Sequence, residues 1–438
     1  MEDDLAADWY TLVHVCQTWR NVIFGSPRRL NLRLHCTAGT PVRKMLDIWP
    51  QLPIVVGSDG YEKWGMDNIL AALEHRGRIC GIYLSPLTGK FSRSQMEKFL
   101  AAMQQSFPAL RSLDLKAEYE TPPVDSDSFL GGSAPCLQEL RMERVQIPGL
   151  PKLLLSATHL VRLQLWNISH SGYISPEAMF TCLSVLPRLE ILSIIFKSFP
   201  SDQESRRPPP QTRTLIPALV LLSFLGVSGY LEDLVARIDA PLLRYLTMSF
   251  FHQQTFDTPQ LNQFISRTPN IKARDEAGLN FTRWDVHVRF PLAQTFGFLQ
   301  LGISCSQRDW RLSSLAQLCS SSFPQGFPVV ERLFVQGKFT RPHWQDDIEV
   351  TQWLELLHPF TAVKDLSVSK DFAPCVVLVL QELVGERVTE VLPALQALFL
   401  EEPLPSGPVL ESIGKFVTAR QLAGHPIAVS RWSKKVYN

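Results

Sequence analysis

FPALRSLDL, residues 107–115, sets a pattern that recurs along the chain. It reads apolar, Pro, x, Leu/Val, x, x, Leu, x, apolar. Further copies are APCLQELRM from Ala134, ATHLVRLQL from Ala157, LPRLEILSI from Leu186 and IPALVLLSF from Ile216. They are followed by APLLRYLTM from Ala240, FPVVERLFV from Phe327, FTAVKDLSV from Phe360 and LPALQALFL from Leu392. All nine carry Leu at the seventh position, and seven carry Pro at the second. An apolar side chain at every second residue is what a half-buried strand requires. The seventh and ninth positions are therefore expected to face a core, and the sixth, eighth and tenth to face the other way. Successive copies start 27, 23, 29, 30, 24, 87, 33 and 32 residues apart. The gap of 87 has the length of about three units, with TPNIKARDE from Thr268 as a worn copy and FGFLQLGIS from Phe296 as another candidate.

Between the motifs the apolar spacing changes to that of helices. Ser94 to Glu97 reads as a capping box, followed by Met96, Phe99, Leu100, Met103 and Phe107 on one face. Ser175-Pro176 and Thr258-Pro259 each place a cap before a proline at the first helical position. The motif's own proline then ends each helix before the next strand. Strand, turn, helix and turn at this spacing predict an α/β solenoid of alternating short parallel strands and helices over residues 30–438, clearest over 107–400. The L-x-x-L-x-L core resembles the leucine-rich-repeat family, without the regular Asn or Cys that the family places after the strand. An ordinary α/β domain would account for the alternation, but not for one strand motif used nine times.

The composition agrees. Of 438 residues 45% are hydrophobic and 19% charged, too apolar for a disordered chain. Leu numbers 62 and Pro 32, which suits many short elements that end abruptly. A net charge of +1 without a basic stripe argues against binding nucleic acid through its phosphates. The longest apolar stretch, residues 215–227, is broken by Pro217 and too short for a bilayer, so no membrane partner is expected. The acidic start has no signal-peptide pattern, and the eight cysteines lie far apart with no C-x-x-C. These features suggest free thiols in a reducing, cytoplasmic or nuclear setting.

Residues 8–24, DWYTLVHVCQTWRNVIF, place Trp9, Leu12, Cys16, Trp19 and Ile23 on one helical face. Leu12, Val15, Cys16, Trp19 and Arg20 follow the order L-x-x-V-C-x-x-W-R, which resembles the second half of an F-box. The Leu-Pro-x-Glu start of that motif does not precede the match, so the likeness is to an amino-terminally truncated F-box. FGSPRRLNLRL, residues 24–34, and TPVRKMLDIWPQLPIVV, residues 40–56, are similar to the exit from the F-box into a repeat domain in fungal F-box-like proteins. The resemblance implies that residues 1–29 are a partial F-box helical segment. Leu12, Val15, Cys16, Trp19 and Arg20 would then dock on the Skp-type adaptor of a cullin–RING ubiquitin ligase, and the repeats would capture a protein substrate. Two alternatives stay open: Trp9 and Trp19 cover the end of the solenoid, or the chain is a stand-alone protein-binding scaffold.

No catalytic pattern is present. G-x-G-x-x-G, G-x-S-x-G and H-E-x-x-H are all missing, and Gly407 to Gly414-Lys415 has the wrong spacing for a phosphate loop, with Phe416 in place of Ser/Thr. Asp125, Asp127, Asp346 and Asp347 read as turn or cap acids, and residues 198–214 as a flexible Pro-rich insert. Neither enzyme activity, nor a cofactor, nor a metal is expected. The candidate binding surface is the strand-lined face. It runs from charged residues such as Asp114 and Arg141 to apolar and aromatic ones at Trp166, Ile195, Leu225 and Tyr245, the candidate substrate-binding residues. The alternative is that a loop, or the chain after Glu401, covers that patch.

Overall fold

The computed structural model describes residues 15–24, 31–48, 51–57, 64–84, 92–121, 128–198, 213–251, 253, 256–272, 275–282, 285–292, 296–304, 312–324, 326–337, 350–383, 385–402 and 407–432. The chain divides into two compact units, Met1–Ile174 with Thr181–Leu189 and Ser175–Phe180 with Glu190–Asn438. Both are leucine-rich-repeat-like: short parallel strands joined through helices.

In the first unit, helix α1 (Gln17–Phe24) precedes β1 (Leu32–His35), β2 (Ile54–Gly57), β3 (Ile79–Leu84), β4 (Ser112–Lys116), β5 (Glu139–Glu143) and β6 (Arg162–Ile168). The strands run parallel in chain order. Their connections carry α2 (Val42–Ile48), α3 (Met66–Leu73), α4 (Arg93–Ala102) and α5 (Leu150–Ser156). Register reproduces the motif. Leu113, Leu140 and Leu163 are side by side, as are Leu115, Met142 and Leu165, and all six are buried. Each such side chain contributes about 2 kcal/mol by leaving water. Before the strand, the position-four N–H bonds back to the position-one carbonyl, as from Leu110 to Phe107 and from Leu137 to Ala134, both at 3.1 Å. The motif's proline sits second in that four-residue turn, where its fixed φ fits and its missing N–H is not needed.

The second unit opens with β7 (Ile191–Phe196), β9 (Leu221–Gly226) and β11 (Tyr245–Phe251) as parallel neighbours, while β8 (Thr214–Leu215) and β10 (Ile238–Asp239) pair separately. Leu192, Leu222 and Leu246 are in register and buried, as are Ile194, Phe224 and Met248. The long gap then departs from a simple series. It does hold three strands, β12 (Glu276–Phe281), β13 (Asp285–Pro291) and β14 (Phe298–Ser304), but their spatial order is reversed. The last of them, β14, lies parallel beside β11, while β12 lies parallel beside β15 (Arg332–Gly337). Between the two runs β13, antiparallel to both. The worn copy at Thr268 keeps its turn, with Ile271 N donating to Thr268 O at 3.1 Å, but its strand starts only at Glu276. The copy read from Phe296 is three residues out of register: its fourth residue, Leu299, lies beside Leu246 at position seven. Beyond β15, β16 (Asp365–Val368), β17 (Ala397–Glu401) and β18 (Ala428–Trp432) are again parallel in chain order.

The helices follow the expected signals with two corrections. The capping box of α4 is formed by Ser92 and Gln95, two residues before the expected pair at Ser94 and Glu97. Ser175 caps α6 (Pro176–Leu183) as expected, its Oγ accepting from Ala178 N at 3.2 Å. Thr258 precedes α8 (Pro259–Arg267), yet its hydroxyl bonds to Ser321 and Ser322 instead of capping. The cap comes from Glu232 on α7 (Ser228–Val235). Its buried carboxylate accepts from Gln260 N at 2.9 Å and Leu261 N at 2.7 Å. Buried Arg420, on the terminal helix Pro408–Leu422, likewise donates to the carbonyls of Val388 and Leu395, both at 3.0 Å.

Burial also sets thiol reactivity. It pushes the Cys36 thiol up to about 12 and the Cys182 thiol up to about 11, and raises Cys319 as well. A raised folded-state pKa keeps these thiols protonated, and so unreactive, at pH 8. Cys16 and Cys136 are exposed. A thiol-reactive disulfide reagent at pH 8 is expected to modify these two in the native protein and the three buried thiols only in denaturant, as read by peptide mass spectrometry. Native labelling of Cys319 as fast as Cys136 would refute this packing.

Candidate functional site

In the first unit, the strand positions that face away from the core pair their charges with one another. Arg141 and Asp114 are cross-strand neighbours, 3.7 Å apart, and Arg162 reaches Glu139 at 3.0 Å. Asn167 donates to Glu143 at 3.2 Å. Burial raises the pKa of Asp114, and Arg141 offsets only part of that rise. Ion pairs on open faces contribute about 0–1 kcal/mol each, so this ladder neutralises the face more than it holds it together. Tyr83, Ser112, Asp114, Glu139, Arg141 and Arg162 line a shallow pocket of about 150 Å³. Trp166 is half-buried, with the Arg141 guanidinium 4.0 Å from its ring centre.

In the second unit, the strand positions that face away from the core are apolar along one row. Ile191, Leu221, Tyr245 and Phe298 are consecutive register partners, all half-buried, and the Tyr245 and Phe298 rings meet edge to face at 5.6 Å. Ile195 and Leu225 are partners in another row, where the next strand offers Ser249. Tyr245 thus lies in a different row from Leu225, so the expected patch is two patches here. Serine and threonine separate them, at Ser193, Ser223 and Thr247. None of Ile195, Leu225 and Tyr245 is fully covered by the chain.

The inverted strands extend this face. Beyond Thr247 the row continues through Gln300, Arg289, Gly278 and Phe334. The Arg289 guanidinium lies 3.9 Å from the Phe298 ring centre. In the neighbouring row His287 stands beside Gly302, with its Nδ1 3.5 Å from Asp285 Oδ1, and Gln336 donates to Asn280 at 2.9 Å. Phe298 escapes sequence reading because the copy read from Phe296 is three residues out of register, and Arg289 because it falls in no copy of the motif.

At the amino terminus Val15, Cys16, Trp19 and Arg20 are all exposed, Val15 at 63% and Trp19 at 48%. Helix α1 begins only at Gln17, one residue after Cys16, and Leu12 and Trp9 lie outside the described residues. Among the described residues no group of three His, Cys, Asp or Glu side chains is placed to hold a metal, and no helix is long and apolar enough to cross a membrane.

No family model matches the chain, and no curated protein matches it. Among solved structures it is similar to the leucine-rich repeat-containing protein LegL7 from Legionella pneumophila, at 11% identity and a TM-score of 0.29, over 92% of this chain and 91% of that one. The strand register and the burial of positions seven and nine define this chain as a leucine-rich-repeat-like α/β solenoid.

Proposed function

We propose that the chain is the substrate-recognition subunit of a cullin–RING, SCF-type ubiquitin ligase. In this reading Leu12, Val15, Cys16, Trp19 and Arg20 attach it to a Skp-type adaptor in the cytoplasm or nucleus. The strand-lined faces of the repeats receive a protein substrate, through Trp166 in the first unit and through Ile195, Leu225 and Tyr245 in the second. The observation that carries the adaptor dock is the exposure of Trp19 and Arg20 on the short helix α1, with Val15 and Cys16 exposed just before it. A tryptophan used only to cover the end of a solenoid would be buried; one exposed to water is suited to anchor in a partner's pocket. The half-buried apolar row on the second unit's strands supports the receptor role.

The test is capture of the full chain on immobilised, purified Skp-type adaptor. Wild-type protein is expected to be retained, and the double variant Trp19→Ala with Arg20→Ala to lose at least about tenfold in affinity, as truncating an interface anchor does. The two side chains are exposed, so both proteins should melt alike. Equal retention of variant and wild type would remove these residues from the dock. Failure of the wild type to bind would leave a stand-alone protein-binding scaffold.

A further inference from the structure

Arg289 is unlike the other strand-face arginines. Arg141, Arg162 and Arg332 are each paired with a carboxylate from a neighbouring strand or the turn before it, at 2.7 to 3.7 Å. Arg289 has neither an ion pair nor a side-chain hydrogen bond among the described residues, and its contact is the face of Phe298. That ring lies against Tyr245, in the apolar row with Leu221 and Ile191. On the other side of Arg289 stands Gly278, then Phe334 on the next strand. A Cβ built on Gly278 would meet only the Asn280 amide, at 3.2 Å, so a slot one strand wide lies open between Arg289 and Phe334. Packing against its neighbours lowers the pKa of Arg289, with no carboxylate near enough to offset it.

We infer that the slot over Gly278 receives an acidic side chain of an extended substrate peptide, with the carboxylate on Arg289 and adjoining apolar side chains on Phe298, Tyr245 and Leu221. A planar carboxylate takes two parallel hydrogen bonds from one guanidinium and needs no second cation. A phosphate dianion would call for more positive charge than a single unpaired arginine supplies, and Arg332, two strands away, is engaged with Asp275 and Glu276. The antiparallel strand is what makes the site: it brings Arg289 between the glycine and the aromatic row, where a simple repeat would have placed another position of the motif. The inference rests on reading the strand face as a protein receptor, and is independent of the adaptor dock.

The test is fluorescence anisotropy of the full chain with three pools of fluorescein-labelled heptapeptides. Each pool has Glu, Gln or phosphoserine at the centre and Leu, Phe, Ser or Gly elsewhere. The Glu pool is expected to bind at least about tenfold tighter than the Gln pool, the usual worth of a charge-assisted pair. Arg289→Gln should erase that preference without changing the melting curve, because the side chain is exposed. Gly278→Leu should weaken the Glu pool by filling the slot while leaving the arginine in place. Equal binding of the Glu and Gln pools, no binding of either, or an unchanged preference in Arg289→Gln would overturn the site. So would a phosphoserine pool bound tenfold tighter than the Glu pool, which would make the anion a phosphate. Retention on immobilised adaptor, measured on the same variants, should be unchanged, so loss of this site is distinguishable from loss of the ligase attachment.

Discussion

Leu222→Ala is expected to destabilise the second unit by about 3 kcal/mol, and Leu225→Ala, three residues along the same strand, by less than about 1 kcal/mol. Leu222 is fully buried between Leu192 and Leu246, its register partners on either side. Strand hydrogen bonds hold both neighbours at fixed spacing, so the cavity left by truncation cannot collapse, and the cavity term adds to the lost transfer energy. Leu225 points to the opposite face and is only half-buried. Urea titrations of the two variants check the contrast. Equal costs would mean that positions seven and ten do not face opposite sides of the strand.

Glu232→Ala should be nearly as damaging, at about 2–4 kcal/mol. Its carboxylate is the acceptor for Gln260 N and Leu261 N at the first turn of α8. Pro259 opens that helix, and the Thr258 hydroxyl is engaged with Ser321 and Ser322, so no local side chain replaces the lost acceptor. Removing it leaves two donors at a buried helix start, which is costlier than losing a cap in water. Glu232→Gln keeps one acceptor oxygen and should cost roughly half as much. Guanidinium unfolding curves rank the three proteins; an alanine variant as stable as wild type would show that water reaches those amides.

The strand motif was readable because it records a single physical fact, the burial of one face. Period two with Leu at position seven places Leu113, Leu222 and Leu366 inward, and all three are buried. The same pattern carries no direction. Val286, Val288 and Phe290 alternate inward on β13 as they would on a parallel strand, so the length of the gap suggests three strands but not their reversal. Two overlapping capping boxes fit the residues around the start of α4, and only the fold selects Ser92 with Gln95 over Ser94 with Glu97. The separation of Tyr245 from Leu225 was legible: one holds position six of its motif and the other position ten, and parallel strands in register keep those in different rows. Arg289 was not legible, because its place on the face depends on an antiparallel strand outside the motif.

The most direct measurement of the proposed function is a calorimetric titration of the full chain with a purified Skp-type adaptor, repeated with Trp19→Ala. A one-to-one complex of micromolar affinity or tighter, about −8 kcal/mol or more favourable, weakened at least about tenfold by the alanine variant, is the predicted result. A wild-type titration with no binding, or one unaffected by the loss of Trp19, would contradict it.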